Sequence, residues 1–189
     1  MKTSQDRFKQ AISKFPKLTT ILKKLDSANV PYSVGGSVAL YAQGNNRLPH
    51  DVDIMFLNEA HDKANEVFGL ASEVIERPNV TMHKSTPVKD GSVDFLSHYT
   101  VIADGEAHHH PPTQKVPVKF EGRTINLIPA EKIVAIKLIG RREHHHDLDD
   151  VKELLVHPDF DKEMFWEMVD LLKARKVVTD LLKSFQIDM

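Results

Sequence analysis

Two aspartates spaced i, i+2 are the residues of this chain whose types and positions best suit chemistry. Asp51 and Asp53 enter an apolar run, Ile54-Met55-Phe56-Leu57, that has the composition of a strand. Side chains alternate along a strand, so both carboxylates would leave one face about 6–7 Å apart. Carboxylate oxygens suit magnesium, and two such ions can hold the attacking and leaving oxygens of a phosphoryl transfer. The pair therefore indicates metal-dependent phosphate chemistry.

The same pair also has a structural interpretation. A bare Asp-x-Asp is a weak signal, because such pairs occur in loops and at helix caps as well. Here that alternative is less favourable, since acidic residues are rare in strands and are seldom buried without a partner. The residues alone leave both interpretations open.

A small-residue turn precedes the aspartates. Gly35-Gly36-Ser37 follows Val30–Val34, a run that predicts a strand, and is followed by Val38–Gln43, which predicts a short helix. Glycine allows a positive φ and a close approach of a ligand, and the first amides of a helix attract anions. Gly36 and Ser37 are therefore candidate phosphate contacts. Ser37 is equally suited to be the N-cap of the helix.

These residues together resemble the signature of the nucleotidyltransferase superfamily, the group related to DNA polymerase β. Its pattern is a hydrophobic residue, Gly, then Gly or Ser, a spacer, and Asp-hydrophobic-Asp/Glu-hydrophobic, which Gly36-Ser37 and Asp51-Val52-Asp53-Ile54 match with a long spacer. The resemblance implies a third carboxylate on a later strand. The candidate is Asp94 in Val93-Asp94-Phe95-Leu96, which follows the Asp90-Gly91 turn and alternates as a half-buried strand should.

The helical half of the chain is similar to the minimal bacterial branch of that superfamily, which includes AbiEii-type toxins and antibiotic-modifying nucleotidyltransferases. The similarity lies in Pro129–Leu138, Arg141-Arg142 and Asp147–Val151, and it implies that Lys137 faces a triphosphate. From the residues alone, Lys137 could instead be an edge residue whose stem is buried. One departure is plain: the branch usually has a lysine before the aspartate, whereas this chain has His144-His145-His146 before Asp147.

The resemblance implies transfer of a nucleoside monophosphate from a nucleoside triphosphate to a hydroxyl acceptor, with release of pyrophosphate. The implied metal is Mg²⁺ or Mn²⁺. Asp94 would act as general base or through a shared metal. The implied catalytic and metal residues are Asp51, Asp53 and Asp94, and the implied nucleotide-binding residues are Gly36, Ser37 and Lys137.

Two other functions remain open at this point. The same carboxylates would serve a metal-dependent phosphohydrolase. A non-catalytic binding module, such as a toxin-antitoxin component with a protein partner, is less favoured, because clustered like charges destabilise a cleft unless a cation compensates them. The acceptor is equally open, whether RNA, a protein or a small molecule.

Composition narrows the class of protein without deciding its function. The 189 residues include no cysteine, so disulfides and thiolate chemistry are excluded. The formal net charge of −2 argues against the strongly basic composition of many nucleic-acid-binding proteins. No apolar run is long enough to cross a membrane and no secretion signal is evident, so we expect a cytoplasmic protein. The expected fold is α+β, a mixed sheet flanked by helices, with a catalytic core at 1–128 and a helical region at 129–189.

Periodicity and turn signals predict the remaining elements. Asn58 is expected to cap a helix near 59–72, and 98–115 is expected to form a loop. His108-His109-His110 and His144-His145-His146 resemble metal ligands, but three adjacent side chains on a regular element cannot converge on one ion. The other predicted helices are 5–15, 18–28, 130–140, 147–156, 161–173 and 175–186, and the predicted hairpins are 80–96 and 116–127.

Overall fold

The computed structural model describes residues 2–77, 79–97, 100–103, 106–109, 115–140 and 145–187. Its helices are α1 (Ser4–Ile12), α2 (Leu18–Ser27), α3 (Gly36–Ala42), α4 (Asn58–Phe68), α5 (Ala130–Ile139), α6 (His145–Leu155), α7 (Lys162–Leu171) and α8 (Arg175–Ser184). Its strands are β1 (Ser33–Val34), β2 (Val52–Phe56), β3 (Glu73–Arg77), β4 (Val80–Ser85), β5 (Val93–Ser97), β6 (Thr100–Ala103), β7 (Glu106–His109), β8 (Val116–Phe120) and β9 (Arg123–Leu127).

All of these strands belong to one mixed sheet with the order β7-β6-β4-β5-β2-β1-β9-β8, and β3 pairs with β4. At its centre β2 runs parallel to β5 and antiparallel to β1. The register places Asp53 directly opposite Asp94. Two acidic residues from distant parts of the chain therefore share one face at the middle of the sheet.

The reverse face of the central strands is an aromatic core beneath α4. The ring of Phe95 lies 5.1 Å from that of Phe56 and 5.1 Å from that of Phe68, both in edge-to-face contact. Gly69 ends α4 in the left-handed conformation, with φ of 65°. Alternation along β2 thus gives one buried apolar face and one face that carries the carboxylates.

Helix α5 is the most buried helix that bears on the site. Every residue from Ala130 to Ile139 is buried except Lys137. A helix that is buried nearly all round is covered by neighbours, and α6, α7 and α8 contact it. The buried hydrophobic cluster includes both Ile128 and Ala130, so the helical region packs on the sheet through a shared core. The division of the chain into two regions at 128/129 stays a prediction.

The expected fold class is confirmed, because the molecule is an α+β protein with a mixed sheet flanked by helices. The predicted hairpin at 116–127 is also correct, with its turn at Glu121 and Gly122. Among the described helices, none is long and apolar enough to cross a bilayer.

Three local predictions are wrong. Residues 98–115 were expected to be a loop, yet β6 and β7 pair there along four residues. The helix expected at 59–72 ends at Phe68, and the chain continues after four residues into β3, which pairs with β4. Asn58 is the first helical residue, and the N-cap position belongs to Leu57.

Candidate active site

Three carboxylates converge on one face of the sheet. Asp51 lies just before β2, Asp53 lies within β2, and Asp94 lies within β5. One oxygen from each lies within 4.8 Å of the others. Asp51 and Asp53 are half-buried, and Asp94 is buried. The predicted placement of Asp94 beside the aspartate pair is therefore correct, while its catalytic role stays a prediction.

Two neighbours on β4 and the following turn orient Asp94. The Thr86 hydroxyl donates to one carboxylate oxygen at 2.8 Å, and Lys84 Nζ lies 2.8 Å from the other. Burial by itself would lower the pKa of Lys84, but the hydrogen bond and charge of Asp94, with a further contribution from Asp53, outweigh burial and raise that pKa. Lys84 therefore stays positively charged and partly offsets the repulsion within the acidic cluster.

Gly36 allows the start of α3 to approach the cluster. Its φ is +54°, and an added Cβ would overlap Oδ2 of Asp53 and lie 2.7 Å from Cγ of that residue. The neighbouring Gly35 N–H donates to the backbone oxygen of Asp53 at 2.8 Å. Any other side chain at position 36 would have to displace the Asp53 carboxylate.

Ser37 is not the N-cap of α3, which is Gly35. Its hydroxyl instead donates to Oδ1 of Asp51 at 3.3 Å. The capping interpretation of Ser37 was therefore wrong. The structure instead places its hydroxyl against the first aspartate of the pair.

A second charged cluster, Arg47, Lys137, Asp147 and Asp150, borders the first. Arg47 Nε donates to Oδ1 of Asp150 at 2.9 Å, and a second guanidinium nitrogen donates to Oδ2. Lys137 Nζ donates to Oδ2 of Asp150 at 2.9 Å and also bonds Asp147. Burial would raise the pKa of Asp150, but the hydrogen bond from Arg47 and the charge of Lys137 keep it below its usual value.

One cavity of about 470 Å³ is lined by the three aspartates of the first cluster and by Arg47, Lys137 and Asp147 of the second. Its volume falls within the range of small-molecule sites. A larger cavity, about 620 Å³, lies between α1, the end of α3 and the start of α5, and its described lining contains none of the three aspartates. The chemistry therefore belongs to the smaller cavity, which is lined by Gly36, Ser37, Arg47, His50, Asp51, Asp53, Ile75, Arg77, Met82, Lys84, Asp94, Leu96, Ile133, Ile136, Lys137 and Asp147.

The donor set of the acidic cluster fits a hard divalent cation. Three carboxylates offer only oxygen ligands, as magnesium and manganese prefer. Two ligands on opposite sides of one magnesium ion are roughly 4.2 Å apart, twice a metal–oxygen distance of about 2.1 Å. The observed limit of 4.8 Å lies close to that value, so small side-chain adjustments would bring these oxygens to a shared ion.

Sequence reasoning assigned no role to Lys84 and Arg47, which line this cavity, or to the buried Asp150, which pairs with Arg47. For Lys84, the alternation of side chains along its strand was a weak signal. Given the antiparallel register of β4 and β5, this alternation places Lys84 on the same face of the sheet as Asp94. Arg47 and Asp150 are separated by 103 residues, and no local pattern connects them. The histidine side chains at 108–110 and 144–146, with Arg141 and Arg142, lie outside the described residues.

Comparisons with known proteins agree with this architecture. The family model described as aminoglycoside-2''-adenylyltransferase matches residues 17–154. A protein from Thermotoga maritima, whose structure is described as that of a candidate nucleotidyltransferase, aligns with a TM-score of 0.54 at 15% identity, over 90% of this chain and 94% of that one. This likeness shows the fold.

A second solved structure is the lincosamide antibiotic adenylyltransferase LnuA with lincomycin bound. It aligns with a TM-score of 0.49 at 20% identity, over 75% of this chain and 96% of that one. A search of curated proteins finds no match.

We predict that Gly36→Ala moves the Asp53 carboxylate and weakens Mn²⁺ binding. Gly91→Ala is the matched control, because Gly91 also has a positive φ, +68°, but an added Cβ there meets no described atom within 4 Å. Both variants should lose about 1–2 kcal/mol of unfolding free energy from the left-handed backbone. Only Gly36→Ala should lose Mn²⁺ affinity, measured by paramagnetic titration. Equal Mn²⁺ affinity in the two variants would contradict the prediction.

Proposed function

The chain belongs to the aminoglycoside-2''-adenylyltransferase family, and we propose on this premise that it transfers the adenylyl group of ATP to a hydroxyl group of a small molecule. Membership makes the protein an enzyme, a nucleotidyltransferase. The observation that carries the proposal is the convergence of Asp51, Asp53 and Asp94 beside the Gly36 turn in one cavity. The family description makes aminoglycosides the first acceptors to test.

Asp51 and Asp53 are the proposed ligands of divalent ions, and Asp94 completes the set. Magnesium, when bound there, supplies positive charge that compensates the triphosphate and the charge developing at phosphorus. The cluster of three acidic groups supports this role, because carboxylates so close together repel one another unless a cation is present.

Asp94 is the proposed general base. In the transfer, a bond forms between the acceptor oxygen and the α-phosphorus, the bond from that phosphorus to pyrophosphate breaks, and the acceptor proton passes to a carboxylate oxygen of Asp94. The hydrogen bond from Thr86 and the ion pair with Lys84 hold that carboxylate in one orientation. A fixed carboxylate reduces the reorganisation needed for proton transfer.

Gly36, Ser37 and Lys137 are the proposed contacts to the nucleotide phosphates. Gly36 brings backbone close to the metal ligands, and the Ser37 hydroxyl already lies against Asp51. Lys137 adds a positive charge from α5 to the same cavity. The helical region at 129–189 thus contributes to the site of the core at 1–128, which we propose as the organisation of the chain.

ATP should bind only in the presence of a divalent ion, because Asp51, Asp53 and Asp94 would otherwise repel the phosphates. Calorimetry with Mg²⁺ should give a measurable affinity, and the same titration with EDTA should give none. Adenosine, which lacks phosphates, serves as the control ligand. If ATP bound equally well in EDTA, the metal-bridged arrangement would be excluded.

Asp51→Asn and Asp53→Asn should abolish turnover without lowering the unfolding free energy of the metal-free protein. Each change removes one charge from a crowded acidic cluster and leaves a side chain of the same shape. Turnover is measured as pyrophosphate release and stability by urea denaturation. Asp62→Asn, an exposed position on α4, is the control and should change neither. A loss of about 3 kcal/mol or more of unfolding free energy would instead show that Asp51 and Asp53 are structural residues held by buried partners.

The transfer itself is tested with ATP labelled at the α-phosphate and a panel of aminoglycosides. We expect label to appear in an acceptor, together with pyrophosphate. Label found only in free AMP, with or without an acceptor, would identify a phosphohydrolase that uses the same carboxylates. Tight ATP binding without any labelled product, under conditions in which the cation is bound, would identify a binding module.

A further inference from the structure

We propose that β3 is the contact strand of a two-fold homodimer, in which the outer edges of two copies of β3 pair antiparallel and join the two sheets. On one side β3 pairs with β4 along its full length. On the other side no described strand pairs with it. Among the described elements, only β4 packs extensively against β3, so this edge of the sheet is open to another chain.

The hairpin that joins β3 to β4 determines which backbone groups of β3 point outward. Two residues separate Arg77 from Val80, its partner in the register, and a two-residue hairpin closes on a hydrogen-bonded pair. Hydrogen-bonded and non-hydrogen-bonded pairs alternate along antiparallel strands, so every second residue counted from Arg77 directs its N–H and C=O toward β4. The corresponding groups of Val74 and Glu76 therefore point to the outer edge.

The β8–β9 hairpin at the other end of the sheet has the same geometry, and there the outward groups are blocked. Two residues join Phe120 to Arg123, so the same alternation makes Pro117 and Lys119 the outward residues. The N–H and the C=O of Lys119 both bond the side-chain amide of Gln5 from α1. Pro117 has no N–H to offer. This edge is therefore closed to a further strand.

The outer edge of β3 lacks such a cover. In the described part of the chain, no hydrogen bond reaches the outward N–H or C=O of Val74 or Glu76. Val74 is also 56% exposed. A row of unpaired N–H and C=O groups beside an exposed apolar residue is a template for pairing with another strand. The contrast between the two edges indicates that β3 is the edge that takes a partner.

The charges along β3 favour a second copy of this chain as that partner. An antiparallel pair that overlaps all five residues of the strand is centred on Ile75. It makes Val74 a hydrogen-bonded partner of Glu76 of the partner subunit, as the outward groups require. It also sets Glu73 opposite Arg77 of the partner subunit on each side of the axis, and no like charges lie directly opposite one another. Centring on Val74 or Glu76 pairs fewer residues, and the latter sets Glu76 against itself.

The proposed pairing also adds a residue of the partner subunit to each cavity. Ile75 and Arg77 line the cavity that contains the three aspartates, and alternation places Glu73 on the same face of β3. Within the described residues, Arg77 has no ion pair of its own. In the dimer, Glu73 of the partner subunit lies beside that guanidinium and fixes it at the wall of the cavity. The dimer is isologous, because each copy uses the same strand.

Charge reversal at the two ends of β3 tests the register. The unchanged protein should sediment as a dimer whose fraction rises with concentration. Arg77→Glu should shift it to monomer, because Glu73 of the partner subunit would then face an acidic side chain, and Glu73→Arg should do the same with two arginines. The double variant Glu73→Arg/Arg77→Glu exchanges the charges and should restore the dimer. The control is Lys152→Glu, the same change of charge at an exposed position on α6, which should leave the dimer intact.

A single introduced cysteine tests the position of the two-fold axis, because the chain has no cysteine of its own. Ile75 would face itself across the axis as a non-hydrogen-bonded pair, with Cα atoms about 4.5 Å apart, a separation that a disulfide can span. Ile75→Cys should therefore give a covalent dimer under mild oxidation, seen on a non-reducing gel. Val156→Cys, at a position that is 78% exposed, is the control and should stay largely unlinked.

Three results would overturn the proposed dimer. The first is an unchanged protein that stays monomeric up to about 1 mM. The second is a dimer that both single charge reversals leave intact, and the third is a folded double variant that stays monomeric. If a charge variant does not fold, the cysteine decides: an Ile75→Cys protein that links no more than Val156→Cys would also overturn the dimer. None of these results bears on adenylyl transfer, which is measured separately.

Discussion

The parallel pairing of β2 with β5 places Asp53 directly opposite Asp94, and the rest of the site is arranged around the resulting repulsion. Like charges this close destabilise the folded chain. The reverse face of the same strands offsets this cost, because Phe56 and Phe95 are completely buried there and each contributes about 1.5–3 kcal/mol. The apolar face of the sheet therefore allows the polar face to hold an acidic cluster.

The site has two electrically different halves. One half contains the three aspartates, with Lys84 as a partial counter-charge. In the other half, two cations and two carboxylates balance one another around the buried Asp150. Because Lys137 and Asp147 come from α5 and α6, the second half connects the acidic cluster of the sheet to the helices that cover it.

Two errors of the sequence analysis, the loop expected at 98–115 and the missed strand β3, share a physical cause. Residues 98–115 contain glycine, prolines and histidines, which locally favour a loop, yet β6 pairs with β4 and β7, and these pairings override local preference. Strand β3 was missed for the same reason, since its register is set by β4. Apart from the end of α4, the positions of the helices and the hairpin at 116–127 were predicted well, because their spacing and turn residues act within a few positions of the chain.

The sequence by itself determined the aspartate pair on one face of a strand, the glycine turn before it and the candidacy of Asp94. Each follows from short-range alternation or from a motif, and short-range geometry is the same in any fold. Only the tertiary structure decided that Thr86 and Lys84 orient Asp94 and that Asp150 holds Arg47 and Lys137. Contacts such as that between Arg47 and Asp150, 103 residues apart, have no periodicity to reveal them. They exist because packing of α5 and α6 against the sheet brings those side chains together.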